Sequence, residues 1–152
     1  MYIIIIINNI PEKLCKLQKN KFQKIGRSTR VSDKKILIVD DSSTNVVLLN
    51  AVLAQHGYEV ISALNAREAY KLVDKQKPDL ILLDLLMPEI SGFDFLEKIK
   101  KDQSLKDVPV VIVSAIGTKE NIRQTKKMGA VHFISKPVNV DEVLNTVSRL
   151  LS

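Results

Sequence analysis

Residues 80–83 read Leu-Ile-Leu-Leu, and the next residue is Asp84. Four apolar residues in a row leave no polar face for water. So short a run, opened by Pro78 and Asp79, reads as a strand buried on both sides, as in a parallel sheet sandwiched between helices. The pattern recurs along the chain. Ile36-Leu37-Ile38-Val39 stops at Asp40-Asp41, and Pro109 to Val113 (PVVIV) stops at Ser114. Val131 to Ile134 (VHFI) runs into Ser135, Lys136 and Pro137, and Tyr58 to Ser62 (YEVIS) is a further short strand.

Helical spacing fills the intervals. Ser42, Ser43 and Thr44 are N-cap residue types ahead of a stretch through Val46, Val47, Leu49, Val52 and Leu53, which Gly57 closes. Ala66, Ala69, Tyr70 and Val73 predict a second helix over 65–75, and Phe93, Phe95, Leu96 and Ile99 a third over 92–101. A mostly polar helix follows over 119–128, closed by Gly129. The last runs over 138–151, with Val140, Val143, Leu144, Val147 and Leu150 as one apolar stripe. Five strands alternating with five helices predict an α/β fold, a doubly wound parallel sheet with right-handed crossovers.

Residues 1–34 form a segment of a different kind. Residues 1–35 hold nine Lys/Arg against two acids, a net of +7, while residues 36–152 hold fourteen against fifteen, a net of −1. The alkaline balance therefore belongs to the N-terminal segment and argues for no nucleic-acid binding by the globular part. Tyr2 to Ile7 is apolar but lacks the positive region and cleavage site of a signal peptide. Ile10, Leu14, Leu17 and Ile25 make a weak basic amphipathic pattern. Its plainest reading is a solvated basic extension; a membrane-surface or partner-binding helix and an upstream start codon are the other readings. No apolar run approaches the roughly 20 residues of a transmembrane helix. Cys15 is the single cysteine, which rules out an internal disulfide and suits a reducing, cytoplasmic setting.

In a parallel sheet the carboxyl ends of the strands share one edge, where open α/β folds hold their ligands. Asp40, Asp41, Asp84, Ser114 and Lys136 all fall there. Three carboxylates brought together repel one another unless a cation sits among them, and a hard, oxygen-liganded ion such as Mg2+ meets that need. Lys136 adds positive charge and Ser114 a hydroxyl, which together suit a phosphoryl group. A carboxylate can be its acceptor, with the metal and the lysine neutralising the charge on the phosphoryl oxygens. Taken singly, each residue has a plainer role: Asp40 and Asp41 as helix caps, Asp84 and Ser114 as turn residues, Lys136 as a solvated lysine. His56 and His132 have no partner pattern that suggests a metal or catalytic site.

Four segments in order, ILIVDDS, LILLDLLMPEISG, VVIVSA and FISKP, make residues 35–151 resemble the receiver domain of a two-component response regulator. The resemblance implies a flavodoxin-like sheet of order 2-1-3-4-5 and a receiver domain over 35–152. It implies that Asp84 accepts phosphate from a sensor histidine kinase or a phosphotransfer protein. It makes Asp41, Asp84 and the backbone carbonyl of Leu86 the Mg2+ ligands, with Asp40 holding a metal-bound water. Lys136 pairs with the phosphoryl group, Ser114 moves towards it, and Phe133 turns inward behind Ser114. The movement reshapes a protein-binding face on the fourth helix, fourth strand and fifth strand. Pro137 is expected to follow a cis peptide bond. Leu86 and Ile116 fall at the two positions that flank the hydrolytic water in the family, and neither side chain can hydrogen-bond it. That predicts a long-lived phosphoryl group. Phe133, where many relatives carry Tyr, leaves a switch by packing alone. The chain ends after the last predicted helix, so the expectation is a single-domain regulator without a DNA-binding domain, a signalling module more than a turnover enzyme. A weak homodimer is compatible with this. The alternative is a receiver-like docking domain that works without phosphorylation.

Overall fold

β1 (Lys35–Val39) pairs in parallel with β2 (Glu59–Ala63) on one side and with β3 (Leu80–Leu83) on the other. β4 (Val110–Ser114) follows β3, and β5 (His132–Ser135) closes the sheet, giving the order β2-β1-β3-β4-β5. Five helices connect and follow the strands: α1 (Ser43–Gln55), α2 (Ala66–Gln76), α3 (Gly92–Lys101), α4 (Lys119–Lys127) and α5 (Val140–Leu151). This computed structural model describes residues 33–152. The expectations for the basic N-terminal segment, all but its last two residues, lie outside the described residues.

The alternation of side chains along a strand sorts the core into two layers. Leu37, Val39, Ile81, Leu83, Val110 and Ile112 pack with Ala69 and Val73 of α2 and with Phe95, Leu96 and Ile99 of α3. Their neighbours Ile36, Ile38, Leu80, Leu82, Val111 and Val113 pack with Val46, Leu49 and Leu53 of α1 and with Val143 and Val147 of α5. The four β3 residues are at most 1% exposed. Burying each such side chain contributes about 1.5–3 kcal/mol, so the run that has no polar face also has no wet one.

Each helix begins on a side-chain cap that accepts a backbone N–H three residues on: Ser42 from Asn45, Asn65 from Glu68, Ser91 from Asp94, Thr118 from Asn121 and Asn139 from Glu142. Such caps typically stabilise a helix by about 1 kcal/mol. They also correct two expected boundaries. Asn65 and Asn139 are caps, so α2 starts at Ala66 and α5 at Val140. Several strands likewise start one residue later than the apolar runs suggest. Pro109 lies before β4, although its carbonyl accepts from Ile81 N at 3.0 Å and extends the ladder. The helix stops fall at Gly57 (φ 89°) and Gly129 (φ 102°), where a side chain would be strained.

α1 is the helix whose orientation the sequence conceals. It has no charged residue, and apolar residues lie on every side. Packing buries Val46, Leu49 and Leu53 and leaves Val47 67% and Leu48 42% exposed. Among the described residues no helix is long and apolar enough to cross a membrane.

Candidate functional site

The carboxyl edge of the sheet gathers the residues that end its strands. Asp40 follows β1 and Asp84 follows β3, and the last residues of those strands, Val39 and Leu83, are directly paired. The Asp84 backbone N–H donates to the Val39 carbonyl at 2.8 Å, which carries the ladder up to Asp84 itself. Asp40 is 2% and Asp84 4% exposed, whereas Asp41 faces solvent. One oxygen from each of Asp40, Asp41 and Asp84 lies within 4.8 Å of the others.

Lys136 arrives from the loop after β5. Its Nζ donates to Asp40 Oδ2 at 2.8 Å and to Asp84 Oδ2 at 3.2 Å. Its backbone N–H donates to the Ser114 carbonyl at 3.0 Å, and its peptide bond to Pro137 is cis. Ser114 ends β4 wholly buried, and its Oγ accepts from Ile116 N at 3.4 Å. The other carboxylate oxygens are also engaged. Asp40 Oδ1 accepts from Ser42 N at 2.9 Å, and Asp84 Oδ1 accepts from Leu86 N at 3.2 Å.

Burial is the strongest influence on Asp84 and raises its carboxyl above the usual range. Lys136 and the Leu86 N–H pull it down, and the Asp40 charge pushes it up again. Burial lowers the Lys136 ammonium, but the hydrogen bond to Asp40 and the charges of both carboxylates outweigh it, and the net shift is upward. The cluster is thus short of positive charge. Its donors are hard carboxylate oxygens, those of Asp40 and Asp84 held in place by N–H and ammonium contacts, a set that fits a small divalent cation such as Mg2+.

A family model described as the response regulator receiver domain matches residues 36–148. The chain belongs to the response regulator receiver family. Protein PilH of Pseudomonas aeruginosa is 35% identical over 118 residues, covering 78% of this chain and 98% of PilH. Sporulation initiation phosphotransferase F of Bacillus subtilis is 36% identical over 120 residues, covering 78% of this chain and 94% of that protein. The solved structure of the chemotaxis protein CheY4 of Vibrio cholerae superposes with a TM-score of 0.74 at 30% identity, over 78% of this chain and 99% of that one. The chain is therefore a phosphorelay receiver. Receivers are phosphoacceptors and bind Mg2+ through an acidic cluster, and the acidic cluster of this receiver is Asp40, Asp41 and Asp84.

Leu86 is 51% exposed beside Asp84, and Ile116 is half-buried two residues after Ser114. Phe133 is half-buried on β5, paired with Ile112 of β4, and it lines an open groove of about 270 Å3 with Ile122, Thr125, Val131 and Ser135. The two histidines stay away from the cluster. His56 caps the end of α1 through the Val52 carbonyl at 2.7 Å, and His132 lies 3.7 Å from Glu142.

Two residues of this receiver escaped the sequence reading. Gly92 reads there only as the first residue of the third helix, yet a Cβ on it would lie 2.2 Å from the Asp84 carbonyl oxygen and 2.6 Å from Leu85 Cα. Asn45 has no motif of its own, yet its Nδ2 donates to Asp40 Oδ2 at 3.3 Å. Neither contact follows from hydrophobic periodicity.

Proposed function

We propose that Asp84 is the phosphoacceptor of this receiver, taking a phosphoryl group from a phosphohistidine on a sensor histidine kinase or a phosphotransfer protein. An Asp84 carboxylate oxygen attacks the phosphorus, the P–O bond forms, and the P–N bond breaks. The departing imidazole keeps the electron pair and takes up a proton. Asp41, Asp84 and the Leu86 carbonyl would hold Mg2+, with Asp40 acting through a water of its shell. The ion supplies charge neutralisation for the phosphoryl oxygens.

The observation that carries this reading is Lys136, whose one ammonium bridges Asp40 and Asp84 from within hydrogen-bond distance. A new phosphoryl oxygen on Asp84 competes for that ammonium, so phosphorylation draws Lys136 away from Asp40. The Ser114 hydroxyl turns towards the phosphoryl oxygens and releases Ile116 N. Phe133 moves into the space behind it, and the groove between α4 and β5 changes shape for a downstream protein. Leu86 and Ile116 offer the hydrolytic water no hydrogen-bond partner, so the phosphoryl group persists. The setting is cytoplasmic.

The test is incubation with acetyl phosphate and Mg2+, read by intact mass. One phosphoryl adduct is expected on the wild type and none on Asp84→Asn or without Mg2+. An unmodified wild type would sink the reading and leave a docking domain independent of phosphate.

A further inference from the structure

Asn45 occupies the third position of α1, and its backbone N–H already serves the helix cap on Ser42 Oγ at 3.4 Å. At that position a Glu or Gln commonly reaches back to the cap residue's own N–H. Here the Ser42 N–H is taken by Asp40 Oδ1 at 2.9 Å, and this leaves the Asn45 side chain to do something else. A carboxylate oxygen only accepts when ionised, so the amide must present its nitrogen. Nδ2 donates to Asp40 Oδ2 at 3.3 Å, on the same oxygen that receives Lys136 Nζ at 2.8 Å. Asp40 Oδ2 therefore has two side-chain donors of different kinds. One is a cation shared with Asp84. The other is a neutral amide with no second side-chain partner among the described residues, anchored by the first turn of a helix.

We propose that Asn45 is a positioning residue that holds the Asp40 carboxylate towards the metal-binding cluster when Lys136 turns to the phosphoryl group on Asp84. The proposal rests on the reading of Asp84 as acceptor. Lys136 stands 3.2 Å from Asp84 Oδ2 and needs little movement to favour that side. As it does so, Asp40, 2% exposed, loses its cationic partner. A buried carboxylate left with one backbone donor would rotate or draw in water. The Asn45 amide keeps Oδ2 satisfied and leaves the carboxylate in place. Partners of this kind, one shell out from a metal, typically govern affinity by 10–100-fold.

The experiment uses the full unphosphorylated chain and measures Mg2+ affinity by titration calorimetry in a double-mutant cycle. Asn45→Ala is expected to weaken Mg2+ binding about threefold when Lys136 is present, and about tenfold or more in a Lys136→Ala background, where Asn45 is the sole side-chain donor left on Asp40 among the described residues. Asn45→Gln, which keeps the amide, is expected to recover most of the affinity. An equal or smaller loss in the Lys136→Ala background would overturn the proposal. Thermal melts without Mg2+ establish that each variant is folded. Should Asn45→Ala not fold, Asn45→Ser, too short to reach Asp40, takes its place. Thr44→Ala, an exposed neighbour on the same turn, is expected to leave Mg2+ affinity unchanged, and a loss matching that of Asn45→Ala would reduce the effect to helix stability. Labelling by acetyl phosphate separates the two readings. A wild type that fails to label sinks the assignment of Asp84, whereas a labelled wild type with no coupling between Asn45 and Lys136 sinks this proposal alone.

Discussion

Gly92, at the first position of α3, lies so close to Asp84 that any side chain there would strike the Asp84 backbone. A Cβ would stand 2.2 Å from the Asp84 carbonyl oxygen and 2.9 Å from its carbonyl carbon. The atoms it meets are main chain on a buried strand end, which cannot rotate aside. Gly92 N also donates to the Leu85 carbonyl at 3.0 Å, so the close approach is part of how the loop after β3 is folded. Gly92→Ala is expected to destabilise the domain by about 3 kcal/mol, the upper part of the range for overpacking, and to lower the melting temperature by roughly 10 °C. A melt within about 2 °C of wild type would contradict the geometry.

Lys136 is the only ammonium within reach of both buried carboxylates among the described residues. Its removal leaves two negative groups, each under 5% exposed, without a counter-ion. Lys136→Met is expected to cost about 3 kcal/mol in chelator, with part of the loss restored by Mg2+. Chemical denaturation with and without the metal measures both quantities.

Asp84 carries the opposite sign. Burial raises its folded-state pKa above the unfolded value. A carboxyl raised in this way binds its proton more readily when folded, so ionisation opposes folding above the folded pKa. That penalty is absent below the unfolded pKa of about 3.9. Asp84→Asn should therefore raise the melting temperature in chelator at about pH 7, and the gain should shrink as the pH falls through the carboxylate range. A gain that grows towards acid would mean that Asp84 stabilises the fold as an anion.

Leu86 is half in solvent, so replacing it costs little stability. Leu86→Asn places a hydrogen-bonding group where the proposed hydrolytic water approaches. The phosphoryl lifetime is expected to fall about tenfold, below the range usual for a positioned general acid or base because an amide only orients the water. Acid-quenched time courses after removal of acetyl phosphate give the rate, and an unchanged lifetime would remove Leu86 from that role.

Ser114→Ala keeps Asp84 and Lys136 in place and removes the hydroxyl that accepts from Ile116 N. Labelling by acetyl phosphate is expected to continue. Amide chemical-shift changes across α4 and β5 on phosphorylation are expected to shrink to a small fraction of those in the wild type. Full-sized changes in the variant would place the switch elsewhere.

The strands and their terminal polar residues were legible because burial on both faces permits only apolar side chains, so the first polar residue after such a run stands out. Asp40, Asp84 and Ser114 were found in that way. Their convergence with Lys136 followed from one topological fact, that parallel strands end on one edge. What stayed hidden depends on distances between elements. Asn45 meets Asp40 across a helix cap, and Gly92 meets Asp84 across a loop. The buried side of α1 could not be read either, since Val46 and Val47 are equivalent as residues and only packing separates them.

The two-layer core has a further consequence: strand length meters the site. Val39 and Leu83 are paired, and one step beyond each stands a carboxylate. Adding a single residue inside β1 would carry Asp40 about 3.3 Å along the strand and turn every side chain after it towards the opposite helix layer. The core and the chemistry would fail together. The connections at the other edge of the sheet face no such ruler, so a chain built this way can lengthen there while its reactive edge keeps its dimensions.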